Sequence, residues 1–148
     1  MAKSFKFRLE PVLKLRAHKV EESKRELRNA ANKRRRKEEE IEEKETYLTG
    51  ILKSQTGLTK ASNLQAGHFH KTYIRDEIKK LGKEKLKLID IETEKRDILN
   101  VVMKDEKILI KLKEKQLKAY EYEAEREDVI RLDEIARNLS GTVDVLKV

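Results

Sequence analysis

The residues best suited to metal binding or acid–base chemistry in this sequence are three histidines and many carboxylates. His68 and His70 lie two residues apart, so on a helix they face different directions and cannot hold one ion as an i, i+4 pair would. The chain contains no cysteine and no glycine-rich phosphate loop. A narrow helical protein also offers no pocket in which a carboxylate could be desolvated and tuned for catalysis. We therefore expect no enzyme activity, no metal and no cofactor.

The most conspicuous charged motif is the run Lys33–Lys37, which reads KRRRK. Such a run could bind nucleic acid through contacts to phosphates. However, Glu38–Glu40 follow it at a spacing of four residues, which favours ion pairs along one helix face. We expect a solvated or protein-facing surface and no nucleic-acid partner. A coiled-coil nucleic-acid-binding protein that uses Lys33–Lys37 is the alternative.

Composition favours long helices around a single apolar seam. Charged residues make up 43% of the 148 residues and apolar residues 37%, against about 25% and 45–50% in ordinary globular domains. Glycine (5) and proline (1) are scarce, so little interrupts a helix. No apolar run approaches the ~18 residues of a membrane span or forms a signal peptide. We expect a cytoplasmic chain that does not insert into a membrane.

Two rows of residues spaced by seven positions are apolar at five of six places each. A sustained spacing of seven favours two helices that wrap left-handedly around each other. Because a glycine-bearing region separates the rows, the pattern predicts an all-α fold, a long antiparallel two-helix coiled coil with a longer second helix. The rows are Leu13, Val20, Leu27, Arg34, Ile41 and Leu48, then Ile74, Leu81, Leu88, Lys95, Val102 and Leu109.

Local signals set the expected ends of the two helices. Pro11 is favoured in a first helical turn, and Ser62 with Gln65 fits a capping box at the start of helix two. Asn138 and Gly141 are typical helix terminators. We predict one elongated coiled-coil domain over 1–148, with helix one at about 11–55, a turn at 56–61, helix two at 62–139 and a tail at 140–148.

Helix two is predicted to outrun helix one. If the helices fold back on each other, helix one begins opposite residue 106 or so, and residues from about Lys113 onward lack a full-length partner. A lone helix is marginal in water, yet a second apolar stripe appears near its end. We interpret this overhang as a docking element, with Phe5 and Phe7 as local cover. The stripe is Val129, Leu132, Ala136 and Leu139.

The seven aromatic residues cluster in two places, which suggests two docking ends, because exposed aromatic side chains anchor protein–protein contacts. One cluster flanks the turn and the other lies where the chain termini meet. The clusters are Tyr47, Phe69 and Tyr73, then Phe5, Phe7, Tyr120 and Tyr122.

The opening and closing segments resemble the flagellar FliJ family. The opening FKFRLEPVLKLR is similar in Phe5, Phe7, Arg8, Leu9, Val12, Leu13 and Arg16. The closing segment is similar in Tyr120, Glu123, Arg126 and the run LDEIA at 132–136. The likeness extends over nearly the whole chain.

This resemblance implies a noncatalytic, cytoplasmic component of the flagellar type III export apparatus, peripherally associated with the inner membrane at the flagellar base. Members form an antiparallel coiled coil similar to the stalk subunit of rotary ATPases. Their paired termini enter the export ATPase ring and promote its assembly, while the turn side contacts the cytoplasmic domain of the export gate. Members also escort the export chaperones of late substrates. The equivalent stalk of a virulence secretion system remains an alternative.

The resemblance also assigns residues to these contacts by position. The ATPase-facing residues would be Phe5, Phe7, Arg8, Tyr120, Arg126, Asp133 and Glu134. The export-gate-facing residues would be Tyr47, Ile51, Phe69 and Tyr73.

Overall fold

The structure is a computed structural model that describes residues 4–54 and 60–146. It contains two helices, α1 (Glu10–Ser54) and α2 (Ala61–Leu146), and no strand among the described residues. The helices pack against each other as a helical hairpin, and α2 has 86 residues against 45 in α1. The predicted all-α antiparallel hairpin with a longer second helix is confirmed.

Helix α1 begins at the segment that contains proline. The Leu9 carbonyl accepts a hydrogen bond from the Leu13 N–H at 2.9 Å, and the Glu10 N–H donates to the Phe7 carbonyl at 3.2 Å. Pro11 therefore lies in the first turn, where the N–H that it lacks would have no helical partner. The observed start at Glu10 is one residue before the predicted start.

Helix α2 begins one residue earlier than predicted, and the capping box is wrong. The Lys60 carbonyl accepts hydrogen bonds from the N–H groups of Asn63 and Leu64, at 3.0 and 3.1 Å. Lys60 therefore occupies the capping position, and Ser62 lies inside the first turn. Of the predicted turn 56–61, residues 56–59 lie outside the described part of the chain. Lys60 is described, and Ala61 is already helical.

The predicted end of α2 at residue 139 is corrected, because α2 continues to Leu146, so residues 140–146 of the predicted tail 140–148 are helical. A glycine ends a helix when it adopts a positive φ, and no described glycine does so. Gly141 instead keeps helical geometry, and the Thr142 hydroxyl donates to the Asn138 carbonyl at 2.9 Å. A helical glycine costs about 1 kcal/mol relative to alanine, which is too little to stop a helix of this length.

By its internal packing the chain divides into two compact units, Lys19–Met103 and the pair of segments Met1–His18 and Lys104–Val148. We call the first the turn-side unit and the second the terminal unit. In both units the residues of the predicted heptad rows are half-buried or buried, including Arg34 and Lys95. Val20 and Ile74 are each only 4% exposed. The two rows are therefore confirmed as the seam.

A second row of α1, three positions after the first, faces the seam but is mostly polar or small. In the turn-side unit it contains Ser23, Ala30, Lys37, Lys44 and Ile51. Ala30 is buried, and this small side chain lets the helices approach closely, whereas the lysines bring charge to the edge of the core. Apolar burial is accordingly modest, so other contacts must define how the helices align.

Ion pairs between the helices supply that alignment in the turn-side unit. From the first pair to the last, the α1 residue number increases from 26 to 44 while the α2 residue number decreases from 95 to 77, which is the pattern of antiparallel helices. Arg34 donates to Glu92 at 2.5 Å, and Glu92 is itself buried. The others are Glu26–Lys95 at 2.8 Å, Lys37–Glu84 at 3.1 Å, Glu38–Lys85 at 3.4 Å and Lys44–Glu77.

The terminal unit repeats the antiparallel arrangement with fewer contacts. Arg16 pairs with Asp105 at 2.6 Å, and Glu10 pairs with Lys113 at 2.8 Å. The beginning of α1 therefore lies beside residue 113 of α2, about two helical turns beyond the predicted residue 106. The uncovered part of α2 begins correspondingly later.

Candidate functional site

The N-terminal arm, which is the segment of residues 4–9 before α1 in the terminal unit, packs on α2, as predicted. Phe7 is only 8% exposed, and the Lys113 ammonium lies 6.0 Å from the centre of its ring. The rings of Phe5 and Tyr120 are tilted against each other with centres 5.7 Å apart. Arg8, between the two phenylalanines and α1, is exposed. Two aromatic residues of the predicted ATPase-facing set, Phe5 and Tyr120, therefore contact each other across the arm and α2.

Beyond Tyr120 the side chains of α2 lose this cover. From Glu121 to Val143 all of them are exposed except that of Ala124. Leu132 is 65% exposed and Val129 56%, so the predicted apolar stripe is open to solvent. Seven acidic residues against two arginines lie between Glu121 and Glu134. We call residues 121–143 the C-terminal stretch.

Charged residues of the C-terminal stretch frame its apolar stripe. Arg126, Asp133 and Glu134 from the ATPase-facing set are exposed there. Arg131 pairs with Asp128 at 3.7 Å on the same helix. A stripe of aliphatic side chains with acidic neighbours favours a partner groove that is apolar along its floor and basic at its rim.

The turn-side unit carries the second aromatic cluster. Phe69 is 64% exposed, and Tyr73 lies one helical turn later and is also exposed. The Tyr47 ring stands edge-on to the His70 ring at 5.9 Å between centres, and its oxygen lies 3.2 Å from His70 Nε2. Ile51 is half-buried. We call Tyr47, Ile51, Phe69 and Tyr73 the turn-side surface.

An ion pair holds one of these tyrosines in place. The Tyr73 hydroxyl donates to Glu77 at 2.7 Å, and the Lys44 ammonium donates to the other carboxylate oxygen of Glu77. The hydrogen bond from Lys44, reinforced by that from Tyr73, lowers the pKa of Glu77, and the same carboxylate raises the pKa values of Lys44 and Tyr73. Tyr73 is therefore oriented while most of its ring stays exposed.

The basic run is divided between the seam and the surface. Arg34 bonds Glu92 across the hairpin and Glu38 on its own helix, and these two carboxylates raise its pKa. Lys37 pairs with Glu84 and Glu40. Arg35 pairs with Glu39 at 3.2 Å but remains exposed. Arg34 and Lys37 are therefore engaged by carboxylates of α2 and are not free to contact the phosphates of a nucleic acid.

The described residues contain neither a cluster that could bind a metal ion nor a helix that could span a membrane. Within residues 4–54 and 60–146 no three histidine or acidic side chains gather where they could hold a metal ion. In the same part of the chain, neither helix contains a stretch apolar enough to cross a bilayer.

The family model described as the flagellar FliJ protein matches residues 5–142. The chain belongs to the FliJ family. No curated protein and no solved structure matches it.

Membership of the FliJ family makes the chain a component of the flagellar export apparatus. The matched range includes both the Phe5 arm and almost all of the C-terminal stretch. The predicted resemblance is thereby confirmed, and the match is to the flagellar family.

The heptad pattern missed the residues that fix the alignment of the helices. Glu92 is buried and Asp105 half-buried, and both pair with arginines of α1. The sequence does contain a signal for these pairs, because Arg16 and Arg34 are charged residues at seam positions that would ordinarily be apolar. Such residues mark register, because a buried charge is tolerated only beside its partner.

Proposed function

We propose that this FliJ-family chain is a noncatalytic stalk of the flagellar export apparatus that docks in the export ATPase ring and promotes its assembly. The supporting observation is the C-terminal stretch, where Val129, Leu132 and Leu139 are exposed on one helix face. A helix of this length is marginal without tertiary contacts. Partner binding would bury the aliphatic stripe and stabilise the helix at once.

Within this proposal the ATPase-facing residues have two roles. Phe5, Phe7 and Tyr120 pack the N-terminal arm on α2, so they position the contact surface. The exposed charges then meet the ring, and they are Arg8, Arg126, Asp133 and Glu134.

The turn-side surface is proposed to contact the cytoplasmic domain of the export gate. Phe69 and Tyr73 present exposed rings there, and aromatic side chains of this kind provide large contact areas at low entropic cost. The chain would then link ATPase to gate in the cytoplasm, peripherally at the inner membrane of the flagellar base. Escort of late-substrate chaperones belongs to the same proposal.

The first experiment removes the C-terminal stretch without disturbing the arm. A chain that ends at Ala124 keeps the Phe5–Tyr120 contact, whereas a cut before Tyr120 would remove it. We expect the shortened chain to retain its helical circular dichroism and to lose stimulation of ATP hydrolysis by the purified export ATPase. Full stimulation by the shortened chain would contradict the proposed docking.

A matched pair of substitutions tests the stripe in the full chain. Leu132→Asp places a charge on the stripe, while Leu86→Asp makes the same change in the turn-side unit. The two leucines are almost equally exposed, Leu132 at 65% and Leu86 at 63%. We expect Leu132→Asp to raise the concentration needed for half-maximal stimulation at least about tenfold, a loss of about 1.4 kcal/mol. Leu86→Asp should change it less than about twofold. Equal losses in both variants would refute the assignment.

A further inference from the structure

The C-terminal stretch is complementary to itself when two copies run antiparallel. Val129 and Leu132 are spaced as successive seam positions of a coiled coil, and Tyr122 and Leu139 extend the same face. In the antiparallel register that sets Val129 against Leu132 of a second copy, Tyr122 meets Leu139 of that copy. All four side chains are exposed, from 56% to 68%. Two-fold symmetry repeats each apolar layer, which gives four apolar layers, and the same register sets Glu125 against Ala136 of the second copy in the two layers between them.

The charges beside this face favour the antiparallel arrangement. In the same register Arg126 lies next to Asp133 of the second copy, and symmetry makes two such pairs. Neither residue has an ion-pair partner within the described part of its own chain. Two parallel copies in register would instead place Glu121 beside Arg126 but also Asp128 beside Asp133, so that the repulsion of the second pair offsets the attraction of the first. Orientation is thus selected by charge.

We propose that the C-terminal stretches of two copies pair antiparallel through Val129, Leu132, Tyr122 and Leu139, and that this dimer withholds the stretch from the ATPase ring. The second half of the statement rests on the proposed function, because the same stripe is assigned to ATPase docking. Pairing would cover the aliphatic face of the free chain. Binding to the ring would then require the dimer to separate.

Net charge gives this dimer an unusual dependence on salt. The C-terminal stretch contains seven acidic residues and three arginines, Arg126, Arg131 and Arg137, so each stretch carries a net charge of −4. Two such stretches repel each other, and dissolved salt screens the repulsion. Self-association should therefore strengthen as salt increases. Docking to a basic partner would respond in the opposite direction.

The experiment is sedimentation equilibrium of the full chain at low and moderate salt, with three variants. Arg126→Asp replaces two attractive pairs by repulsive ones and should weaken the dimer about tenfold or more. The double variant R126D/D133R restores opposite charges and should recover the wild-type affinity to within about threefold. Arg137→Asp, which makes the same change of charge on the outward face, is the matched control and should weaken association less than about threefold.

Cysteine cross-linking tests orientation, because the chain has no cysteine of its own. Full chains carrying Val129→Cys and Leu132→Cys are mixed and oxidised. Antiparallel pairing predicts that the mixed disulfide between the two variants dominates over disulfides within either variant. Dominant like-with-like disulfides would indicate a parallel dimer and overturn the proposal.

The remaining outcomes separate this inference from the proposed function. A chain that stays monomeric at several hundred micromolar and moderate salt overturns self-pairing, while loss of ATPase stimulation by Leu132→Asp would still support docking. A dimer that forms and stimulates the ATPase without separating overturns the mutual exclusion. A dimer unaffected by Arg126→Asp overturns the proposed register.

Discussion

Val20 and Val129 occupy equivalent places in two apolar heptad patterns, yet 4% of one side chain is exposed and 56% of the other. Val20 belongs to the turn-side unit, where α1 and α2 cover each other. Val129 lies in the C-terminal stretch of the terminal unit, beyond the contact between Phe5 and Tyr120. An apolar heptad pattern thus does not show by itself whether the same chain covers that helix face.

The charges around each pattern distinguish the two cases. Beside the covered seam, acidic and basic residues alternate between the helices, as in the pairs Glu26–Lys95 and Lys37–Glu84. Beside the open stripe, acidic residues predominate and the one described ion pair, Arg131–Asp128, is local. A balanced set of charges accompanies the face that the chain covers itself, and an unbalanced set accompanies the face that it leaves exposed.

Truncating one aliphatic residue in each region gives the largest expected contrast. Ile74→Ala should lower the free energy of unfolding by about 2–5 kcal/mol, because Ile74 is 4% exposed and the change leaves a cavity. At concentrations too low for two copies to pair, Leu132→Ala should change it by less than about 0.5 kcal/mol, since its side chain is then in water. Urea unfolding followed by circular dichroism measures both. Equal losses would show that the C-terminal stretch is packed within the free chain.

Acid should weaken the turn-side unit through its depressed carboxylates. Hydrogen bonds from Lys44 and Arg34 lower the pKa values of Glu77 and Glu38 below the ordinary 4.5. A carboxylate with a lowered folded-state pKa contributes stability above its unfolded pKa and loses it as pH falls through the folded value. The melting temperature should therefore hold above about pH 5 and fall below pH 4.5.

A glutamine substitution tests the source of that fall. Glu77→Gln should lower the melting temperature at neutral pH and make it less dependent on acid. Glu43→Gln, at an exposed carboxylate without an ion pair among the described residues, should keep the wild-type profile. The effect is smaller than that of Ile74→Ala because exposed pairs contribute little. Identical acid profiles for all three proteins would contradict the role of Glu77.

Much of the fold could be predicted from sequence because heptad spacing is a strong signal. The row from Leu13 to Leu48 identified the seam of α1 even where Arg34 interrupts it. Register could not be predicted, since the same row is compatible with any shift of seven residues. The contacts Glu10–Lys113 and Arg34–Glu92 select one shift, and they depend on which charges meet in three dimensions.

The helix ends show a second limit of sequence reasoning. Asn138 and Gly141 are typical terminators, but termination requires a change of backbone conformation that residue type only permits. The aromatic clusters were predicted as docking ends, yet Phe7 is buried while Phe69 is exposed. Whether each ring is buried depends on the residues that pack beside it in the fold, such as Lys113 beside the Phe7 ring. Composition alone contains no such information.

Hydrogen exchange of the full chain, with and without the assembled export ATPase ring, tests the central claim most directly. Amide exchange reports local opening, so a partner that binds the C-terminal stretch should slow exchange there. We predict strong protection across residues 121–143 when the ring is added, and little change around Val20 and Ile74. Unchanged exchange over 121–143, with new protection confined to the turn-side unit, would contradict the account.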